Sequence, residues 1–327
     1  MRVLITGGAG FIGHHLVQHI IKTTNWQIII FDKLNYASNG LERLKEIGAM
    51  NSRRVSYFSV DISQPISDGV RKEAGQFDII FHLAAESHVE KSIANPEPFI
   101  ISNVLGTMRM LDFANCQEKL DKFIYFSTDE VFGPAKSGIF FSEWDRYNSS
   151  NPYSASKAGA EELCLAWHNT YGTPIVISHC MNCFGERQYP EKFIPMCIKK
   201  ILHGEKIVIH SNPTKTKSGS RFYIHARNVS TAVLFLVEKA EIGQKYNIVG
   251  EREVGNLTMA QFIADILEKK LNYEMVDFHS DRPGHDLRYA LDGKKMAEMG
   301  WALPVSFETS LKKTIRWTVE NPKWLET

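Results

Sequence analysis

RVLITGGAGFIG, residues 2–13, decides the architecture of this chain. Five strand-forming residues run straight into glycines at 7, 10 and 13, and the apolar segment FIGHHLVQHII that follows reads as a helix. A strand that turns through glycines into a helix brings bare backbone N–H groups and a positive helix end to one point, where a pyrophosphate binds. A glycine triplet alone is weak evidence. Here a strand precedes it, a helix follows it, and Asp32 closes the next strand. An acidic side chain at that place accepts hydrogen bonds from an adenosine ribose and repels a 2′-phosphate. The reading is a dinucleotide site that takes NAD rather than NADP, with Lys33 beside Asp32 as a mild counterweight.

Outward from this stretch the same alternation continues. Strands are expected at RVLIT (2–6), QIIIF (27–31), RVSYFSV (54–60), DIIFHLA (78–84), FIYFS (123–127) and PIVIS (174–178). Between them lie helix-like segments such as PFIISNVLGTMRMLDFANC and YSASKAGAEELCLAWHNTY. Continuous apolar strands separated by helices predict an α/β fold, a doubly wound parallel sheet of the Rossmann type, whose ligands bind beyond the carboxyl ends of the strands. After residue 180 the loops lengthen and the alternation becomes irregular, which predicts a smaller C-terminal α/β domain closing over that edge. RNVSTAVLFLVEK and KYNIV read as one more helix and strand returning to the first domain. The expected division is 1–180 plus about 222–250 for the dinucleotide domain, and about 181–221 plus 251–327 for a substrate domain.

Composition narrows the class. The chain has 327 residues, 43% hydrophobic and 23% charged, with a formal net charge of +1, so no basic field for nucleic acid exists. KTKSGSR (215–221) reads as a solvated loop. No apolar run reaches the ~20 residues of a membrane span. The first residues start a strand with no signal-peptide pattern, and the five scattered cysteines suit a reducing compartment, so the cytoplasm is expected. Cys180 and Cys183 form CMNC, half of a four-ligand zinc site with no second pair to complete it, and read as two half-buried thiols.

Two further motifs carry chemistry. In NPYSASK the helix after Pro152 puts Tyr153 and Lys157 at i and i+4, on one face, where a lysine cation can favour a phenolate whose ordinary pKa is ~10. FSTDEVFG (126–133) ends a strand with Thr128, Asp129 and Glu130 in succession: a hydroxyl and two carboxyls. On a loop these would be mere solubilising groups, and a Tyr/Lys pair is common on any helix; here both stand at the end of one predicted strand–helix unit.

With GxxGxxG and YxxxK, the chain resembles the extended short-chain dehydrogenase/reductase family, and Thr-Asp-Glu narrows the resemblance to its nucleotide-sugar 4,6-dehydratases. DKLNYAS, LAAESHVEKS (83–92), NVLGT (103–107), YPEKFIP (189–195) and RPGHDLRYALD (282–292) extend it over nearly the whole length. The resemblance implies NAD-dependent dehydration of a nucleoside-diphosphate-hexose, of the dTDP-glucose or UDP-glucose type. Tyr153, Lys157 and Thr128 would serve oxidation at C4, Glu130 would act as base at C5, and Asp129 as acid at the C6 hydroxyl. The cofactor, tightly bound and regenerated each turnover, is implied to lie on Gly7, Gly10, Phe11, Ile12, Gly13, Asp32, Lys33, Leu34, Asn35, Asp61, Ile62, Leu83, Ala84, Ala85, Ser87, Ser102 and Cys183, with Tyr153 and Lys157. The sugar nucleotide is implied on Ser87, Thr128, Asn182, Lys192, Phe193, Val208, His210, Arg221, Asn256, Arg282 and His285. Helices 98–116 and 153–171 are implied to build a four-helix bundle in a homodimer.

Three features depart from the family pattern. Asn182-Cys183-Phe184-Gly185 replaces NNYG, the connection from Glu130 to Tyr153 is short, and HSNPTKTKSGSR is long. The nucleotide base is therefore open. An epimerase has no use for an acid and base at C5 and C6, and a decarboxylase needs a cationic grip on a C6 carboxylate. A non-catalytic NAD-binding regulator predicts loss of Tyr153, Lys157 or the acids, all of which are present.

Overall fold

Each of the six apolar runs expected before residue 180 becomes a parallel strand. The structure, a computed structural model, describes residues 1–35, 38–277 and 287–326. The strands are β1 (Arg2–Thr6), β2 (Gln27–Asp32), β3 (Val55–Ser59), β4 (Ile79–His82), β5 (Lys122–Thr128), β6 (Ile175–Cys180), β7 (Cys183–Phe184), β8 (Ile207–Ser211), β9 (Ser220–Phe222), β10 (Ile224–His225), β11 (Lys245–Ile248), β12 (Glu253–Gly255) and β13 (Tyr273–Asp277). Seven of them form one sheet in the order β11-β6-β5-β4-β1-β2-β3, every pair parallel. The order reverses between β1 and β4, and a crevice opens at such a switch point beyond the carboxyl ends.

Alternate residues of these strands enter different cores. Val3, Ile5, Ile28, Ile30 and Phe81 pack on one face, and Leu4, Ile29, Phe31 and Ile80 on the other. Burial on both faces explains why the strands are continuously apolar rather than alternating. KYNIV returns as anticipated, with β11 paired to β6 from Lys245↔Ile177 to Ile248↔Cys180. The segment expected as one helix over 98–116 is less regular: a short turn, Glu97–Phe99, leads into π-type bonding over Ile100–Leu105 before the α-helix Gly106–Asn115. The wider turn lies where Ser102 faces the crevice.

The remaining strands make two-stranded pieces: β7 with β10, β8 with β13, and β9 antiparallel to β12. Helices Phe193–His203, Asn256–Ile266 and Phe307–Glu320 pack with them around Ile198, Ile209, Ile263 and Ile315, a core separate from those of the large sheet.

Candidate active site

The carboxyl ends of the central strands open on a cleft of about 330 Å³. Its floor is the glycine turn. Gly7 has φ +72°, and a Cβ there would lie 2.8 Å from the Ala84 nitrogen. A Cβ on Gly13 would lie 2.1 Å from the Gly7 carbonyl oxygen, so only glycine lets the helix Phe11–Thr23 start this close to β1. Asp32 Oδ2 accepts the Ala9 N–H at 3.0 Å and Oδ1 the Leu34 N–H at 2.8 Å, which leaves each oxygen a lone pair for a ribose hydroxyl. Burial raises the Asp32 carboxyl while those N–H groups oppose the rise. These features fit a dinucleotide. Gly13→Ala is expected to cost roughly 1–3 kcal/mol by overpacking and to lower bound nucleotide content, measured by thermal melting and by the nucleotide released on denaturation.

At the other end of the cleft stands the helix Pro152–Tyr171. Asn151 caps it, accepting the Ser154 N–H at 2.9 Å, while Ser154 Oγ accepts the Asn151 N–H at 3.3 Å. Pro152 occupies the first turn, where its missing N–H costs nothing. Tyr153 and Lys157 thereby face the mouth of β5. There Thr128 Oγ1 accepts the Glu130 N–H at 3.3 Å, ends the strand and starts the turn Asp129–Phe132.

The electrostatics of this corner are unequal. Thr128 Oγ1 donates to Asp129 Oδ1 at 3.1 Å, and Asp129 Oδ2 is buried without a partner. Burial and then the neighbouring Glu130 charge push the Asp129 carboxyl up to about 7, with Arg221 opposing. Glu130 Oε2 accepts from Asn151 Nδ2 and from the Tyr289 hydroxyl, each at 3.4 Å. Burial pushes Lys157 down to about 8, and its Nζ donates to the Phe126 carbonyl at 2.5 Å. In this corner burial, then the Glu130 charge, raises the Tyr153 phenol, and its hydrogen bonding with Thr128 opposes them.

Most of the anticipated residues meet in this one cleft: Gly7, Gly10, Phe11, Ile12, Gly13, Asp32, Lys33, Asn35, Ile62, Leu83, Ala84, Ala85, Ser87, Ser102, Thr128, Asp129, Glu130, Tyr153, Lys157, Asn182, Cys183 and Lys192. Several do not line it. Leu34 (φ +54°) offers its N–H to Asp32, and Asp61 Oδ1 is taken by Ser63 N–H and Oγ at 2.9 and 2.7 Å. Phe193 opens its helix and packs on the second core. Val208 and His210 sit on the outward side of β8, opposite buried Ile207 and Ile209. Asn256 Oδ1 accepts the Tyr223 hydroxyl at 2.8 Å. Arg221 donates to the Ser220 and Leu287 carbonyls at 2.7 and 2.9 Å, its guanidinium lies 4.6 Å from the centre of the Tyr289 ring, whose hydroxyl bonds Glu130, and its charge acts on Asp129. Arg282 and His285 lie outside the described residues.

Cys180 and Cys183 are free thiols with their sulfurs 3.3 Å apart. Residues not singled out from sequence also line the cleft, including Glu86, Gln188, Tyr189 and Glu191. Glu86 pairs with Lys33 at 3.2 Å and accepts from Asn35 Nδ2 at 3.0 Å. Only its place inside LAAESHVEKS hinted at a role.

The model of the GDP-mannose 4,6 dehydratase family matches residues 4–314. The chain belongs to that family. Among its relatives, a dTDP-glucose 4,6-dehydratase of Escherichia coli is 39% identical, over 100% of this chain and 95% of the relative. The dTDP-glucose 4,6-dehydratase DesIV of Streptomyces venezuelae, solved with NAD and TYD bound, superposes with a TM-score of 0.90 at 34% identity, covering 100% of this chain and 99% of the other. The corresponding enzyme of Bacillus anthracis, solved in complex with NAD, gives 0.88 at 31%, covering 100% and 99%. Within the family frame, the three-glycine turn, Thr128-Asp129-Glu130 and the Tyr153/Lys157 pair occupy a single cleft. Among the described residues no helix is long and apolar enough to cross a membrane.

Proposed function

We propose that this chain is an NAD-dependent nucleotide-sugar 4,6-dehydratase acting on a dTDP-hexose. The observation that carries the reading is the placing of two adjacent carboxyls in the Tyr153 corner of one cleft, where burial and the Glu130 charge push Asp129 up to about 7. The names of the relatives at 34–39% identity favour the dTDP sugar over the UDP sugar.

Bound NAD supplies the hydride acceptor for C4 and the donor that later serves C6. The chain's own residues handle protons and position. Tyr153 takes the proton of the sugar O4, with Thr128 hydrogen-bonded to the same oxygen and the Lys157 charge beside it. The resulting 4-ketone acidifies C5–H, and Glu130 removes that proton. Asp129 gives its proton to the departing C6 hydroxyl, which leaves as water. C5 is then reprotonated. A protonated Asp129 beside an ionised Glu130 would run the acid and base steps together, each worth roughly 10²–10⁴-fold. Lys192 and the N-terminal end of its helix grip the diphosphate.

The division into a dinucleotide domain (1–180 plus about 222–250) and a sugar-nucleotide domain (about 181–221 plus 251–327) belongs to the same proposal, as do a cytoplasmic location and a homodimer built on the helices near 98–116 and 153–171. Exposed Ile100 and Ile101 on the first of these (48% and 38%) support the dimer. Incubation of the purified protein with dTDP-glucose and UDP-glucose separately, without added cofactor, tests the activity. Loss of one water from the dTDP sugar by mass is expected. No mass change with either would overturn the reading, and an isomerised product would move it to an epimerase.

A further inference from the structure

Behind the cleft, the helix Pro152–Tyr171 carries a third ionisable group at the four-residue step that joins Tyr153 to Lys157. Glu161 is 0% exposed and held on every side. Ser127 Oγ donates to its Oε2 at 2.7 Å. Oε1 meets His179 Nε2 at 2.9 Å and Lys245 Nζ at 3.0 Å, and also accepts from the Tyr147 hydroxyl. The other His179 ring nitrogen lies 3.0 Å from Asn247 Oδ1. These partners come from β5, β6, β11 and the loop ahead of the helix. Ser127 directly precedes Thr128, and His179 directly precedes Cys180 at the cleft.

The ammonium of Lys157 is buried, with few groups around it. Besides the Phe126 carbonyl, it lies 4.3 Å from the centre of the Tyr125 ring. His82 on β4 faces it and is neutral, pushed to about 3 by burial and by the lysine charge. Two groups could support the cation, Cys164 and Glu161. Burial pushes the Cys164 thiol well up, so it is uncharged wherever Lys157 titrates. Against burial, which would raise it, His179, Lys245 and Ser127 hold the Glu161 carboxyl at about 2. Among the described residues the anion that remains is Glu161, buried one turn along the same helix face from Lys157.

We infer that Glu161 is a positioning residue for the Tyr153–Lys157 pair: its carboxylate is the counter-ion that keeps the buried lysine charged, and its bonds to Ser127, His179 and Lys245 lock the helix against the mouths of β5 and β6. This rests on the dehydratase reading, in which the charge on Lys157 favours ionised Tyr153. A purely structural network would stabilise the fold without setting the charge of Lys157, and the two differ in sign-specific ways.

The experiment follows the pH dependence of the first, oxidative half-reaction, read in stopped flow as the absorbance of the reduced nicotinamide on mixing NAD-loaded protein with dTDP-glucose. Glu161→Gln is expected to move the alkaline limb down by about one pH unit or more, the size of a near opposite charge. Glu161→Asp keeps the charge and should leave the limb close to that of the unmodified protein. Lys245→Met removes a competing cation, frees more of the Glu161 field for Lys157, and should move the limb up; it also decides the matter if Glu161→Gln does not fold. Unmoved limbs in both Glu161→Gln and Lys245→Met, with only a lower melting temperature, would overturn the inference. The titration of Lys157, followed by ¹³C NMR of lysine-labelled NAD-loaded protein, needs no substrate. An unshifted Lys157 titration in these variants overturns the inference even if no sugar nucleotide is turned over, whereas a shifted one without turnover leaves it standing and removes the dehydratase reading instead.

Discussion

Tyr153→Phe is expected to keep the fold and the bound cofactor while slowing the oxidation of the sugar roughly 10²–10⁴-fold, the usual worth of a positioned base. The ring is buried and meets Phe99 edge to face at 6.5 Å, a contact phenylalanine preserves. What is lost is one oxygen. That oxygen is costly to ionise here, because burial and the Glu130 carboxylate both raise the phenol above its ordinary value. The surrounding site offers the compensation: the Thr128 hydroxyl at the oxygen, the lysine charge on the same helix face, and the positive charge of an oxidised nicotinamide when NAD is bound. In the proposed scheme neither carboxyl replaces it, since Glu130 serves C5 and Asp129 the C6 hydroxyl. Mixing the variant with dTDP-glucose should give no absorbance change from reduced nicotinamide on the timescale of the unmodified protein. A rate within tenfold of that protein would remove Tyr153 from the role.

How much of this was legible in the sequence depends on what each residue's position obeys. Strands and the glycine turn answer to local rules, a period of apolar residues and a forbidden Cβ, so β1 to β6 and Gly7 to Gly13 lie where the pattern placed them. Tyr153 and Lys157 are fixed by helical spacing and a cap, which are local too. Val208 and His210 lie off the cleft because the pleat of β8 turns them outward, Phe193 because it opens a helix that packs on its own core, and Arg221 is bonded to the Ser220 and Leu287 carbonyls. A one-residue change of register on β8 would exchange Val208 and His210 with Ile207 and Ile209. Leu34 and Asp61 lie on the expected segments, with the Leu34 N–H given to Asp32 and one Asp61 oxygen to Ser63. Glu161 shows the opposite failure. Its spacing from Lys157 was visible, but its partners come from residues 127, 147, 179 and 245, and only the assembled sheet brings them together.

The second large effect concerns the paired acids, whose variants should separate the two half-reactions. Asp129→Asn and Glu130→Gln are expected to reduce bound NAD with substrate and then stall, each losing roughly 10²–10⁴-fold in formation of the dehydrated product. Glu130→Gln should not slow the first step and should favour it, because its charge is one of the forces raising the Tyr153 phenol. The pH dependence carries a definite sign. Asp129 donates only when protonated, and its carboxyl stands at about 7, so water loss should decline as pH rises through 7. Oxidation at C4 does not use that proton and should continue into the alkaline range until Lys157, at about 8, loses its charge. Reduced nicotinamide should therefore accumulate above neutrality in the unmodified protein. In Asp129→Asn the residual elimination should lose this decline, since the group that titrates is gone. In Glu130→Gln, the Asp129 carboxyl loses the neighbouring anion that helps to raise it, and the decline should move to lower pH. Rapid-quench analysis of product against pH measures all three profiles. Full dehydration in Asp129→Asn, or a profile flat through 7 in the unmodified protein, would break the assignment of Asp129 as the acid, and full dehydration in Glu130→Gln that of Glu130 as the base.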